Sequence, residues 1–102
     1  MKYPNIVTKL TTLCDGWLVG SSAEEDNDNP RDYDIFIPID KWLEASNYIP
    51  QDAKINRMGG FKVISDGKEV DIWTGKMEDI LTSNYFKIAY HPRSGIRINR
   101  AL

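Results

Sequence analysis

The chain has 102 residues, of which 41% are hydrophobic, 11% aromatic and 27% charged, and its formal net charge is -2. This composition suits one folded domain with a single core, and it excludes a disordered chain, because disordered chains hold few aromatic residues. No apolar run approaches the roughly 20 residues that a membrane-spanning helix needs. The sequence therefore predicts a single soluble domain over residues 1–102 that has no membrane partner.

The first half of the chain predicts one helix and two strands. The expected elements, in chain order, are a helix over 5–14, a strand over 17–20, a polar loop over 24–32 and a strand over 33–39. Apolar residues recur at helical spacing in the first segment, where Asn5 is suited to cap the start and Asp15-Gly16 to end the helix. Pro38 marks the end of the second strand or an edge position.

The second half predicts a helix, a hairpin, a helix and a strand. The expected elements, in chain order, are a helix between residues 40 and 50, strands over 61–65 and 68–73, a helix over 76–89 and a strand over 95–99. Asp40 is suited to cap the first of these helices, and Leu43 is expected on its buried side. Asp66-Gly67 between two apolar runs is a two-residue hairpin signal. This order predicts an α+β domain, with a mixed β-sheet and helices packed mainly on one face.

Cysteine use and the uneven charge of the chain restrict its environment and partners. Cys14 is the one cysteine and residues 1–5 lack the apolar segment of a secretory signal, so we expect a cytoplasmic protein. Residues 80–102 carry four basic side chains and no acidic one. Such a basic tail either holds a polyphosphate or a nucleic-acid strand, or is a solvated surface, and charge alone leaves both interpretations open.

Three aspartates form the pattern that carries chemistry. Asp32 and Asp34 are separated by one residue on an expected strand, so both side chains point to the same face of the sheet. Asp71 lies between two apolar residues on a later strand and can close the cluster. Neighbouring carboxylates raise each other's pKa unless a cation neutralises them, and carboxylate oxygens are ligands that Mg²⁺ prefers. The pattern predicts a divalent-cation site, whereas each aspartate alone would suit a strand start or a solvent-facing position.

The spacing of these residues resembles the signature of a known superfamily. Gly20-Ser21, ten further residues and Asp32-x-Asp34 resemble the motif of the nucleotidyltransferases with the DNA polymerase β-type fold, and Val70-Asp71-Ile72 resembles the setting of their third acid. The ten-residue spacer is most similar to that of the minimal nucleotidyltransferases, which are often antitoxins paired with small helical toxins. The resemblance covers roughly residues 17–74 and implies one minimal nucleotidyltransferase domain over residues 1–102.

The resemblance implies a metal-dependent transfer of a nucleoside monophosphate from an NTP to a hydroxyl of a protein or an RNA. Mg²⁺ or Mn²⁺ would be the cofactor, and the three aspartates would be both catalytic residues and metal ligands. A glycine without a Cβ and serine hydroxyls at a turn favour the close approach of a phosphate. The expected nucleotide-binding residues are Gly20, Ser21, Ser22 and Arg93, the last in a polar turn after His91.

Departures from the family pattern support a second interpretation. Minimal members often carry an arginine directly after Gly-Ser and a basic residue two positions later, where this chain has Ser22 and Glu24. The spacer is acidic, and acids near a triphosphate repel it unless they point outward. The alternative function is a catalytically weak or inactive binding module of the phage or antitoxin type, which binds a protein or nucleic-acid partner. A third interpretation is an oligomer whose neighbours complete the site.

Overall fold

A mixed β-sheet with α-helices on both faces makes up the fold, and the prediction of an α+β domain is confirmed. The computed structural model describes residues 3–56, 59–82 and 86–100. The elements in chain order are α1 (Asn5–Leu13), β1 (Trp17–Val19), β2 (Asp32–Pro38), α2 (Trp42–Ser46), β3 (Lys54–Ile55), β4 (Phe61–Ser65), β5 (Lys68–Gly75), α3 (Met77–Thr82), β6 (Ile88–His91) and β7 (Ile96–Asn99). Gly20–Ala23 and Ile39–Lys41 form 3₁₀ turns.

The described strands form one seven-stranded sheet in the order β3-β4-β5-β2-β1-β6-β7. β2 lies at its centre and pairs with β5 in parallel, whereas the other neighbouring strands are antiparallel. A parallel pair needs a crossover connection, and here the segment between β2 and β5 supplies it with α2, β3 and β4. Pro38 ends β2, as expected. None of the helices in the described part of the chain is long and apolar enough to cross a membrane.

Two apolar clusters lie on opposite faces of the sheet. The larger cluster joins α1 and α2 to one face, where Val7 and Leu10 are fully buried against residues such as Ile35. Cys14 is buried in this cluster, as expected. The smaller cluster joins α3, through Ile80, to the other face. Burying one such aliphatic side chain stabilises a fold by about 1.5–3 kcal/mol, so the larger cluster holds most of the packing energy.

The start of α1 is capped by the turn of a distant hairpin. Asp66 and Gly67 have positive φ angles of 52° and 78°, which fits the predicted two-residue turn. The Asp66 Oδ2 atom accepts a hydrogen bond of 2.7 Å from the backbone N–H of Asn5, and Ser65 Oγ accepts one of 3.3 Å from Ile6. No side chain of α1 caps its own start, so the expectation that Asn5 is the cap is wrong. Hairpin and helix therefore stabilise each other.

Two predicted helices are shorter in the structure. The helical spacing predicts a helix over 76–89, but the structure describes α3 over Met77–Thr82 and has Ile88–His91 as a strand between β1 and β7; residues 83–85 lie outside the described part. Pairing on both edges outweighs the helical pattern of this segment. The α2 helix spans five residues, follows a 3₁₀ turn and has no side-chain cap, and Leu43 is 85% exposed rather than buried.

We predict that Asp66→Ala destabilises the protein by about 1–3 kcal/mol, because it removes the α1 cap and places alanine in a left-handed turn position. Asp66→Asn should cost less, since asparagine tolerates the left-handed region and can accept the hydrogen bond. Urea unfolding followed by circular dichroism measures both free energies. Asp52→Ala, at an exposed carboxylate, is the matched control. An Asp66→Ala variant as stable as this control would contradict the capping role.

Candidate functional site

The register of the central parallel pair places Asp34 beside Asp71. The two Cα atoms are partners across β2 and β5, so both carboxylates project from the same face of the sheet. Asp32 lies on that face as well, two residues earlier on β2, where its partner on β5 is Glu69. Asp34 and Asp71 are partly buried, whereas Asp32 is exposed. The structure thus brings the three predicted aspartates to one face, with Asp34 and Asp71 as direct neighbours.

Asp34 and Asp71 are direct neighbours, and Asp32 lies further from Asp71. Among the described residues, no three histidine, cysteine, aspartate or glutamate side chains gather closely enough to hold a metal ion. Asp34 and Asp71 are partners on neighbouring strands, which in general lie about 4.8 Å apart, whereas residues i and i+2 of one strand are about 6.5–7 Å apart. Asp34 and Asp71 are therefore the best-placed pair, and the ligand role of all three aspartates stays a prediction.

Burial and charge repulsion act together on Asp34. Burial of the carboxyl and, to a lesser extent, the negative charges of Asp71 and Asp32 together raise the pKa of Asp34 to about 6, whereas Lys62 opposes the shift. A carboxylate that resists ionisation beside other carboxylates is an environment that a cation would relieve. The electrostatics of the pair therefore fit a divalent ion, which Asp34 and Asp71 would hold with their oxygens.

The turn after β1 lies against Asp34. Gly20 has a φ of +66°, and a Cβ at this position would lie 3.6 Å from Asp34 Oδ2. Glycine is suited to the position because its backbone adopts the left-handed region without strain. Ser21 is exposed at the start of the turn, and its carbonyl oxygen accepts a 3.0 Å hydrogen bond from Asn27 Nδ2. Gly20 thus approaches Asp34 closely, and the Ser21 side of the turn is exposed to solvent.

Ser22 connects the turn to the strand that carries the acids. Its side chain is buried, and the Oγ atom donates to the Val19 carbonyl at 3.0 Å and accepts from the Asp34 backbone N–H at 3.2 Å. Both hydrogen bonds of the Ser22 hydroxyl are therefore made to backbone groups of the protein. The structure therefore supports a positioning role for Ser22, and its predicted contact with nucleotide finds no support in this geometry.

Two residues that sequence reasoning did not single out contact or flank Asp71. Asn56 Nδ2 donates a 3.3 Å hydrogen bond to Asp71 Oδ1, while Asn56 Oδ1 accepts one of 2.8 Å from Gly60 N–H. Asn56 thereby orients the carboxylate. Lys62 is the β4 partner of Asp71 and forms a 3.6 Å ion pair with Glu69. The hairpin turn predicts the register of β4 and β5, so Lys62 could have been found from the sequence.

Arg93 lies away from the acids. The turn that carries it follows β6, whose antiparallel pairing with β1 places it near Asp15, whereas Gly20 follows the other end of β1. Arg93 Nη1 and Asp15 Oδ1 are 3.2 Å apart. His91 is buried at the end of β6, with its Nδ1 atom 2.7 Å from Ser94 Oγ in that turn. The structure does not bring Arg93 or His91 together with the predicted nucleotide site.

Arginines of the expected basic tail are engaged within the fold. The Arg97 guanidinium lies 4.3 Å from the centre of the Tyr90 ring, donates to the Ala23 carbonyl and is 3.5 Å from Glu25. Among the described residues, Arg100 donates to the backbone carbonyls of Ile80 and Leu81 in α3 and of Phe86 after it. These contacts fix the acidic spacer and α3. The charges of Arg97 and Arg100 are therefore used in contacts within the protein.

Trp73 borders the acids on the same face of β5. Its ring lies 5.5 Å from that of Phe86, in the smaller apolar cluster, which supports core packing over stacking on a base. The indole Nε1 atom is buried without a hydrogen-bond partner among the described residues. On this face, each of β2 and β5 thus carries an aromatic side chain two residues after its aspartate.

Comparison of the chain with protein-family models, with curated proteins and with solved structures gave no match. The arrangement of the acids, the turn and their neighbours is therefore the basis on which a function is argued.

We predict that Asp34→Asn stabilises the metal-free protein near pH 7. The folded-state pKa of about 6 exceeds the ordinary value of 3.8, so the ionised carboxylate opposes folding. This penalty is absent below about pH 4, grows as the pH rises towards 6 and is constant above it. Because the group is partly exposed and screened, we expect a gain of about 1–2 kcal/mol at most.

Urea unfolding of the two proteins in EDTA, at intervals from pH 4 to 7.5, measures this gain. Asp52→Asn removes an exposed carboxylate elsewhere and serves as the control. A loss of stability in Asp34→Asn at pH 7, with the pH profile of the wild type retained, would show that the acids do not repel each other as described.

Proposed function

We propose that this protein is a metal-dependent nucleotidyltransferase of the DNA polymerase β-like fold. It would transfer a nucleoside monophosphate from an NTP to a hydroxyl of a protein or an RNA and release pyrophosphate. One observation carries the proposal: the parallel register that sets Asp34 beside Asp71, with the Gly20 turn against Asp34. Two carboxylates on adjacent strands repel each other and destabilise the fold. In a phosphoryl-transfer site, a bound divalent ion would offset this repulsion.

Different residues of this site would bind the metal ion and accept the proton of the acceptor hydroxyl. Asp34 and Asp71, with Asp32 at the exposed end, would hold Mg²⁺ or Mn²⁺. When bound, the ion neutralises phosphate charge and favours deprotonation of the acceptor hydroxyl. Asp71, oriented by Asn56, is placed to take the hydroxyl proton directly or through water.

The reaction forms one bond and breaks one. The acceptor oxygen bonds to the α-phosphorus, and the bond from that phosphorus to the bridging oxygen breaks, so that pyrophosphate leaves with the electron pair. The turn at Gly20 and Ser21, which lies against Asp34, would hold the α-phosphate at the acids for this in-line displacement.

A binding module without turnover is the second candidate. Glu24, Glu25 and Asp26 are exposed directly after the turn, and Glu24 stands at a position where the resembling enzymes often have a basic residue. In addition, the part of the chain that the structure describes has no three-residue metal cluster. These two observations favour a protein that binds a protein or nucleic-acid partner through the same scaffold and transfers little or no nucleotide.

We predict label transfer from α-³²P-labelled NTPs in the presence of Mg²⁺ or Mn²⁺, with either cell lysate or total RNA as the acceptor. Asp34→Asn and Asp71→Asn should lower the rate at least about a hundredfold, because each removes charge at the reacting centre. Glu44→Gln, an exposed carboxylate on α2 and thus on the opposite face, should retain the wild-type rate.

The same assay separates the two candidates. Equal label incorporation by the wild type and by both aspartate variants would rule out catalysis at this pair. Absence of transfer from all four NTPs with both kinds of acceptor, while a partner is still bound, would favour the binding module.

We also predict that Mg²⁺ raises the melting temperature of the wild type in the absence of nucleotide. At a tenfold excess over its Kd, an ion that binds only the folded state stabilises it by about 1.4 kcal/mol, which corresponds to several degrees for a domain of this size. Asp34→Asn and Asp71→Asn should lose this shift. Glu44→Gln should keep it, and a shift of equal size in all four proteins would place the ion elsewhere.

A further inference from the structure

A row of side chains crosses the acidic face of the sheet, with one residue from each strand. The pairing registers define its members, which are, from the β3 edge to the β7 edge, Lys54, Lys62, Asp71, Asp34, Val19, Ala89 and Ile98. Partners across neighbouring strands share a face, so all seven side chains project from the same side. The row thus consists of two lysines, then two aspartates, then three apolar residues.

The two lysines are cross-strand partners of equal charge. Lys54 and Lys62 are directly opposite each other on β3 and β4, an arrangement that destabilises a sheet unless an anion lies nearby. The Glu69 carboxylate is one such anion, since its Oε1 atom lies 3.6 Å from Lys62 Nζ. The Lys54 side chain is exposed. Both lysines line a groove of about 330 Å³ along β3 and β4, whose acidic members are Asp52 and Glu69. A further anion would fit between the lysines.

The position of the lysines relative to the acids indicates which kind of anion the lysines would bind. Strands are about 4.8 Å apart, so Lys62 lies one strand and Lys54 two strands from Asp71. A chain of phosphates that begins at Asp34 and Asp71 and runs along the row would meet one lysine after the other. The apolar half of the row, which α3 covers through the smaller cluster, offers no such charges in the described residues.

We propose that Lys62 and Lys54 bind the β- and γ-phosphates of the NTP, with Lys62 moving from Glu69 to the phosphate. The inference rests on the proposed function, because it takes the α-phosphate to lie at Asp34 and Asp71. Lys62 then also stabilises the charge that develops on the departing pyrophosphate. The Lys62 side chain is 41% exposed, so it is free to change partners.

Binding of inorganic tripolyphosphate with Mg²⁺, measured by isothermal titration calorimetry, tests the lysines without a base and without turnover. Lys62→Met should weaken binding about tenfold or more, because it removes a charge-assisted contact, and Lys54→Met should weaken it less. Lys62→Arg should retain most of the affinity. Lys9→Met removes the same charge from α1, on the opposite face, and should bind like the wild type.

Glu69→Gln distinguishes a phosphate contact from a structural ion pair. If Lys62 binds phosphate, loss of Glu69 frees it, and tripolyphosphate should bind as tightly as in the wild type or several-fold more tightly. If Lys62 serves only its pair with Glu69, both variants should change stability alike and neither should change affinity. Glu44→Gln is the matched control, and urea unfolding verifies that each variant is folded.

The outcomes separate this inference from the proposed function. Equal tripolyphosphate affinities of Lys62→Met and Lys9→Met, or no binding by the wild type, would overturn the inference. Nucleotide transfer with an unchanged KM in Lys62→Met would also overturn it while leaving the proposed function in place. Lysine-dependent binding in a protein that transfers no nucleotide would support the phosphate site and reject the enzyme.

Discussion

The parallel pairing of β2 with β5 is the constraint on which the rest of the site depends. It is the one parallel contact of the described sheet, and it joins two strands whose aspartates are 37 positions apart in the sequence. A slip of one residue would turn either carboxylate to the face that α1 and α2 cover, into the larger apolar cluster. Tyr33, Ile35, Val70 and Ile72 oppose such a slip, because their burial on that face requires the present register.

Around this pair, the protein uses neutral polar groups to orient its acids. Ser22 accepts a hydrogen bond from the backbone of Asp34, and Asn56 donates one to the carboxylate of Asp71. Neither group neutralises the repulsion between the two charges. Lys62, opposite Asp71, offsets this repulsion only in part, because the pKa of Asp34 stays raised, so the charge of the pair remains available to a cation.

Much of this arrangement could be predicted from residues with strong local rules. Asp66-Gly67 specified the hairpin and, with it, the register that sets Lys62 opposite Asp71. The spacing of Asp32 and Asp34 specified their shared face. Local rules failed where long-range pairing decides: the apolar spacing of 76–89 suits a helix, and the pairing of Ile88–His91 with β1 and β7 makes its end a strand. The place of Arg93 at the far end of β1 follows from that same pairing.

The link between Asp66 and Asn5 has a consequence for the order of assembly. Its two partners are 61 residues apart, so the first turn of α1 gains its acceptor only after the hairpin has closed and docked. Hairpins close in microseconds, whereas contacts between distant segments wait for chain collapse. The α1 helix should therefore be completed only after the hairpin, although α1 precedes the hairpin in the sequence. Because the Asp66 turn leads directly into β5, displacement of α1 from the sheet would remove a hydrogen bond from the turn next to the strand that carries Asp71.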